Sequence, residues 1–219
     1  MFSSSRPSLA TLIAALLLAQ PVFAFQSPLS EQAVREAYFL GQRRDESMAT
    51  FLNKYTKVLP PPVSGPQIYS VTFFTPFALL VQYSSRQSDY SAQRAEKDHH
   101  PDEEMVSIQM DVLLTQTYGA FIAKPTGSRS GSPIGYQLRS SNFWETIKFH
   151  VFDGEEEITT DNLTGEPRYL CSDNGCTLTG AIVRLQFRAT AFTSDTATIE
   201  VIPPEGNPVS VQFDLNRLR

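Results

Sequence analysis

Potential metal ligands concentrate in one short segment of this chain. His99 and His100 are followed by Asp102 and two glutamates, so imidazole and carboxylate groups stand close together. Adjacent side chains point in different directions on most backbones, and a tight transition-metal site needs three or four convergent ligands. We take His99, His100 and Asp102 as candidate metal ligands. The alternative is a charged, solvent-exposed loop, and we expect no cofactor.

Cys171 and Cys176 are the two cysteines of the chain and are separated by four residues. A thioredoxin-like redox motif has two intervening residues, and a zinc site needs two further ligands. The Asn-Gly pair before Cys176 favours a tight turn. The spacing therefore predicts a disulfide that closes one hairpin. Such a small loop adds about 2 kcal/mol to stability.

Motifs of hydrolases and nucleotide-binding enzymes are missing from the sequence. The segment 127–131 resembles a nucleophile elbow only superficially, because Arg129 stands where the nucleophilic serine belongs. Zincin, phosphate-loop and dinucleotide fingerprints do not occur. Paired carboxylates for hydrolysis depend on distances in space, which a sequence does not show. We therefore predict a non-catalytic module with a binding or structural role. The alternative is a secreted hydrolase that acts on glycan or peptide through carboxylates.

The first 24 residues have the layout of a secretory signal peptide. Arg6 is followed by the apolar run Leu9–Ala19, and small residues precede a cleavage site between Ala24 and Phe25. The apolar run is too short to span a bilayer, and we expect no membrane span in the mature chain. The pattern predicts a secreted or periplasmic protein.

The charge balance restricts the class of partner. Lys and Arg number 18 against 23 Asp and Glu, which gives a net charge of −5. Because the predicted signal peptide contains one arginine, the mature chain is one unit more acidic. We expect no nucleic acid partner, since phosphates repel such a surface. An unknown protein or glycan remains as the partner, and the sequence leaves the oligomeric state open.

Residues 25–66 are predicted to form a helical prefix and a proline-rich connector. Ser30 is a good N-cap, and the apolar residues that follow recur at helical spacing. A second helix is predicted from Asp45 as far as Leu59, where Pro60–Pro62 ends it. We expect this pair of short helices to pack on the domain that follows.

Residues 67–219 are predicted to form an antiparallel β-sandwich, immunoglobulin-like or jelly-roll-like, with its topology open. Apolar residues alternate with polar ones in many short segments, and turn signals separate these segments. The predicted strands include Ile68–Thr75, Phe77–Ser84, Met105–Leu114, Thr117–Lys124, Trp144–Phe152, Glu155–Thr160, Val183–Ala189, Ala197–Val201 and Val209–Leu215. The fold class is therefore mainly β.

Aromatic residues flank a Gly- and Ser-rich loop predicted at Pro125–Gly135. Tyr118, Tyr136, Phe143 and Trp144 are the residues concerned. Exposed ring faces would suit a sugar ligand, whereas the single tryptophan of the chain is expected to anchor the core. Asn162 begins an N-glycosylation sequon, which has meaning only in a eukaryotic source.

Overall fold

The computed structural model describes residues 25–125, 134–160, 162–173 and 175–219; the predicted signal peptide lies outside them. Within these residues the chain is mainly β, with antiparallel sheets and four helices. The helices are α1 (Glu31–Arg43), α2 (Glu46–Asn53), α3 (Pro76–Arg86) and α4 (Ala92–Asp98). The strands are β1 (Thr56–Val58), β2 (Gln67–Phe74), β3 (Met105–Leu113), β4 (Phe121–Pro125), β5 (Ile134–Leu138), β6 (Lys148–Asp153), β7 (Glu156–Ile158), β8 (Leu163–Ser172), β9 (Gly175–Arg188), β10 (Thr196–Ile202) and β11 (Val209–Asp214).

The strands form two larger sheets and one separate pair. The five-stranded sheet has the order β1-β2-β3-β9-β8, and the four-stranded sheet has the order β11-β10-β6-β7. The two strands β4 and β5 pair only with each other in the described part of the chain. All strand pairings in the described residues are antiparallel, as predicted.

Alternating side chains of both sheets belong to one apolar core. On β9 the buried residues include Val183, Leu185 and Phe187, each separated by a polar residue. The rings of Phe73 on β2 and Phe213 on β11 lie 5.6 Å apart between centroids, so the two sheets meet there. Strands β10 and β11 pair with Ile199 opposite Val211 and with Val201 opposite Val209.

Helix α1 packs closely against α3. The Ser30 hydroxyl accepts a hydrogen bond from the Ala33 N–H and caps the start of α1. At Gly41 a Cβ would overlap the carbonyl oxygen of Val81 and would lie 2.9 Å from the Ser84 Cβ. Glycine is therefore required here for the two helices to approach each other.

The strand predicted at Phe77–Ser84 is wrong, because this segment is helix α3. Thr75 is the N-cap, and its hydroxyl accepts from the Ala78 N–H. Pro76 occupies the first turn, where its missing N–H costs no hydrogen bond. Pro76 lies between the predicted strands Ile68–Thr75 and Phe77–Ser84, and threonine followed by proline is also a typical helix start.

The second predicted helix ends earlier than expected. Helix α2 stops at Asn53, and the chain continues as β1, which pairs with β2. Tyr55 is almost fully buried between these elements, and its hydroxyl donates to the backbone carbonyl of Arg219 at 3.1 Å. Its ring also lies 5.0 Å from that of Phe51 on α2. The prefix therefore contributes a strand and buried rings to the β core.

Two further strand boundaries differ from the prediction. The strand expected at Thr117–Lys124 begins at Phe121, after a turn in which Tyr118 is buried. The strand expected from Trp144 begins at Lys148, because Phe143–Thr146 forms a single 3₁₀ turn. Trp144 is 8% exposed and lies against Gly165 on β8, where any Cβ would overlap the indole. The tryptophan is thus a core residue.

Candidate functional site

A cleft of about 410 Å³ lies beside the segment that carries the candidate metal ligands. Helices α3 and α4 contribute residues to its wall, together with the 3₁₀ turn Pro101–Glu103 and Leu29 from the segment before α1. His99, His100 and Glu104 line it, whereas Asp102 does not. We call this feature the acidic cleft, because Asp98, Glu103 and Glu104 are among its lining residues.

Glu104 is the buried carboxylate of the acidic cleft. Its Oε2 accepts a hydrogen bond from the Ser27 hydroxyl at 2.6 Å, and its Oε1 accepts from the Leu29 N–H at 2.6 Å. The His99 Nε2 lies 3.1 Å from the same Oε1, without hydrogen-bond geometry. Both carboxylate oxygens therefore hold the segment before α1 against the start of β3.

The predicted metal ligands do not converge. The exposed side chains of His100 and Asp102 are turned to solvent, while His99 is half-buried beside Glu104. The backbone carbonyl of Asp102 accepts from the Arg188 guanidinium at 2.9 Å. In the part of the chain that the structure describes, no group of three or more His, Cys, Asp or Glu residues is placed to hold a metal ion.

Ser27, Glu104 and His99 do not form a nucleophilic triad. In such a triad the histidine lies between the serine and the carboxylate, so that it removes the serine proton. Here the carboxylate lies in the middle, and the serine hydroxyl donates to it. The connectivity supports anchoring of Ser27 and gives no activated nucleophile.

Asp153, the second buried carboxylate of the described residues, also holds backbone. It accepts from the N–H and the hydroxyl of Thr193, both at 2.9 Å, and from the N–H of Ser194 at 3.0 Å. These bonds fix the loop before β10 to the end of β6. Asp153 does not line the acidic cleft. The two buried carboxylates, Glu104 and Asp153, therefore hold backbone in different parts of the described structure.

The pair β4–β5, here called the ribbon, has an exposed apolar face. Phe121 lies opposite Leu138 and Ala123 lies opposite Tyr136, and alternate residues of a strand share one face. Phe121 is 59% exposed, Leu138 68% and Tyr136 74%. We call these four residues the ribbon face. The prediction placed β5 partly in a loop, although the spacing of Tyr136 and Leu138 is the alternation that indicates a strand.

The other aromatic residues near the predicted loop are not available to a ligand. Tyr118, Phe143 and Trp144 are all buried. The guanidinium carbon of Arg139 lies 3.4 Å from the centroid of the Tyr118 ring and covers it. Tyr136 is therefore the one ring of the four that the structure exposes.

The predicted disulfide is present and lies at the exposed end of the hairpin β8–β9. Cys171 is paired with Cys176 across the two strands, with their Cα atoms 4.0 Å apart. Tyr169 and Leu170, the two residues before the bridge, are both more than half exposed. The bridge thus joins two strands at the edge of the five-stranded sheet, away from the apolar core.

The described helices and the comparison with known proteins give no further indication of function. Among the described helices none combines the length and apolar character needed to cross a bilayer. The sequence matches no protein-family model, and no curated protein is significantly similar to it.

Proposed function

We propose that this chain is an exported, non-catalytic interaction module that binds another protein through the ribbon face. The observation that carries the proposal is the exposure of Phe121, Tyr136 and Leu138 on one side of a two-stranded pair. Contiguous exposed apolar surface that includes aromatic rings is typical of protein-binding sites. Isolated two-stranded pairs are also marginally stable in water and gain from cover.

A protein suits the ribbon face better than a glycan does. The face combines two aliphatic side chains with two rings and has one hydroxyl, on Tyr136, whereas sugar sites place several polar groups beside the ring. Each strand of the ribbon also has an open edge within the described residues, so an extended segment of the partner has main-chain donors and acceptors to pair with. We take the partner to be a different protein, and self-association is one outcome that the crosslinking experiment distinguishes.

Export and a sandwich architecture belong to the same proposal. The disulfide supports export, because such bonds persist in oxidising compartments. The segment 1–24 supports it independently through its tripartite pattern. The core shared by the two sheets supports a sandwich. The hydrolase alternative stays a prediction.

The experiment is site-specific photocrosslinking from the ribbon. A photoreactive phenylalanine analogue replaces Tyr136, and the control replaces Gln137, whose side chain lies on the opposite side of the same strand. We expect one foreign protein to be crosslinked from position 136 and not from position 137. The purified partner should then bind the wild-type chain and bind the Tyr136→Ser, Leu138→Ser variant at least tenfold more weakly.

Three results would contradict the proposal. Equal crosslinking from both positions would show that the contact is not specific to the ribbon face. Crosslinking to a second copy alone would make the face a self-association surface. Binding of a glycan that is lost in the double variant would replace the protein partner by a sugar. A Gln137→Ser variant with unchanged affinity and melting temperature serves as the matched control.

A further inference from the structure

The floor of the acidic cleft is apolar. Leu29 and Ala95 are buried, and Leu79 and Leu80 on α3 are only partly covered by their neighbours. Met105, at the start of β3, adds a flexible side chain. A volume of about 410 Å³ is within the range of small-molecule sites. The cleft can therefore take the apolar body of a small ligand.

The charged residues around this floor have one sign. Asp98, Glu103 and Glu104 line the cleft, and its lining includes no Lys or Arg. Glu104 accepts hydrogen bonds from Ser27 and Leu29. Asp98 forms an ion pair with Arg94, with 3.4 Å between Oδ2 and Nε. Glu103 is exposed, and within the described ranges its carboxylate has no ion-pair partner. The rim therefore attracts a cation and repels an anion.

Two tyrosine rings complete the wall of the cleft. Tyr83 and Tyr90 meet edge to face with their centroids 5.2 Å apart, and both line the cleft. Burial raises the pKa of the Tyr90 hydroxyl, and the charge of Asp98 raises it further. The hydroxyl thus stays protonated at neutral pH, and aromatic rings attract a desolvated ammonium group.

We propose that the acidic cleft is a binding site for a small amphiphile that has an apolar body and one primary amine. The apolar body lies on Leu79, Leu80 and Met105. The ammonium group lies at the rim beside Glu103 and Asp98. This site is separate from the ribbon face, because no residue of that face lines the cleft, and it does not depend on the proposed protein partner.

The test measures the binding of three probes with the same chain length to the full mature chain. Octylamine, octanol and octanoate are titrated at pH 8, where ordinary imidazole is neutral, and binding is followed by calorimetry. We expect octylamine to bind at least tenfold more tightly than octanol, and octanoate to bind most weakly. Equal affinities for octylamine and octanoate, or no binding of octylamine, would overturn the proposal.

Variants locate the site. Asp98→Asn with Glu103→Gln should weaken octylamine binding at least tenfold and leave octanol binding unchanged, because only the charge of the rim is altered. Glu46→Gln on α2 is the matched control, since Glu46 is exposed and does not line the cleft. Unchanged octylamine binding in the double variant, with an unchanged melting temperature, would place the amine elsewhere and refute the assignment.

Discussion

Gly41→Ala tests whether close approach of α1 and α3 outweighs helix propensity. In the interior of a helix, alanine is more favourable than glycine by about 1 kcal/mol. Against this gain, the new Cβ would lie 2.9 Å from the Ser84 Cβ and 3.2 Å from the Ser85 nitrogen, and would overlap the Val81 carbonyl oxygen. Two of these three atoms belong to the backbone of α3 and cannot rotate away, so α3 must move.

Overpacking of this kind costs about 1–3 kcal/mol and occasionally more. Because the overlap is with backbone atoms, we take the upper part of this range, about 2–3 kcal/mol, and with the gain in propensity subtracted we expect a net loss of about 1–2 kcal/mol in the free energy of unfolding. For a domain of this size this lowers the melting temperature by roughly 2–8 °C. Thermal unfolding followed by circular dichroism measures the change.

Gly119→Ala is the matched control, because the nearest atom to its added Cβ is the Thr115 carbonyl oxygen at 3.6 Å. This variant should change the melting temperature little. A Gly41→Ala protein as stable as the wild type, or more stable, would refute the reasoning and show that the two helices separate without cost.

Three further predictions concern single groups. Cys171→Ser with Cys176→Ser should lower the melting temperature by roughly 4–8 °C without abolishing folding, because the closed loop is small. Alkylation and mass spectrometry count the free thiols of the native protein, and two free thiols would contradict the disulfide. In Gly165→Ala the added methyl overlaps the indole of Trp144, so the indole must move from its buried position and its fluorescence should shift to the red. An unchanged emission maximum and an unchanged melting temperature would argue against this contact. Burial raises the pKa of Tyr55 above its ordinary 10.0, so its contribution to stability is complete below pH 10 and is lost as the pH rises through the higher folded-state value. Urea unfolding from pH 8 to 11 should show this decline in the free energy of unfolding. Tyr55→Phe should lower the free energy of unfolding by about 1 kcal/mol at pH 8 and flatten the decline. An equal decline with pH in both proteins would exclude Tyr55 as its cause.

Local alternation was sufficient to predict the part of β9 that lies in the core. Val183, Leu185 and Phe187 are separated by polar residues, and the structure buries all three. At Phe77–Ser84 the apolar composition led to a wrong strand prediction, because a short run of apolar residues fits a buried strand and a buried helix equally well. The structure forms a helix there, with Thr75 as its N-cap.

The acidic cleft shows what sequence alone could not supply. The cluster from His99 to Glu104 was found by composition, but its partners Ser27 and Leu29 are 77 and 75 residues away along the chain. No periodicity connects positions at such separations. The role of Glu104 as an anchor of backbone and hydroxyl groups therefore emerged only from tertiary structure.

The strand order of the five-stranded sheet has a consequence for the order in which the chain folds. Strand β9 lies between β3 and β8, and Met105 is paired with Arg188. The centre of this sheet therefore cannot form until the residues up to Arg188 are available to pair with β3. Pairings between distant segments also form slowly, because a long loop must close first. A chain of this topology therefore cannot complete this sheet from its N-terminal half alone, and the sheet forms only when β9 reaches β3.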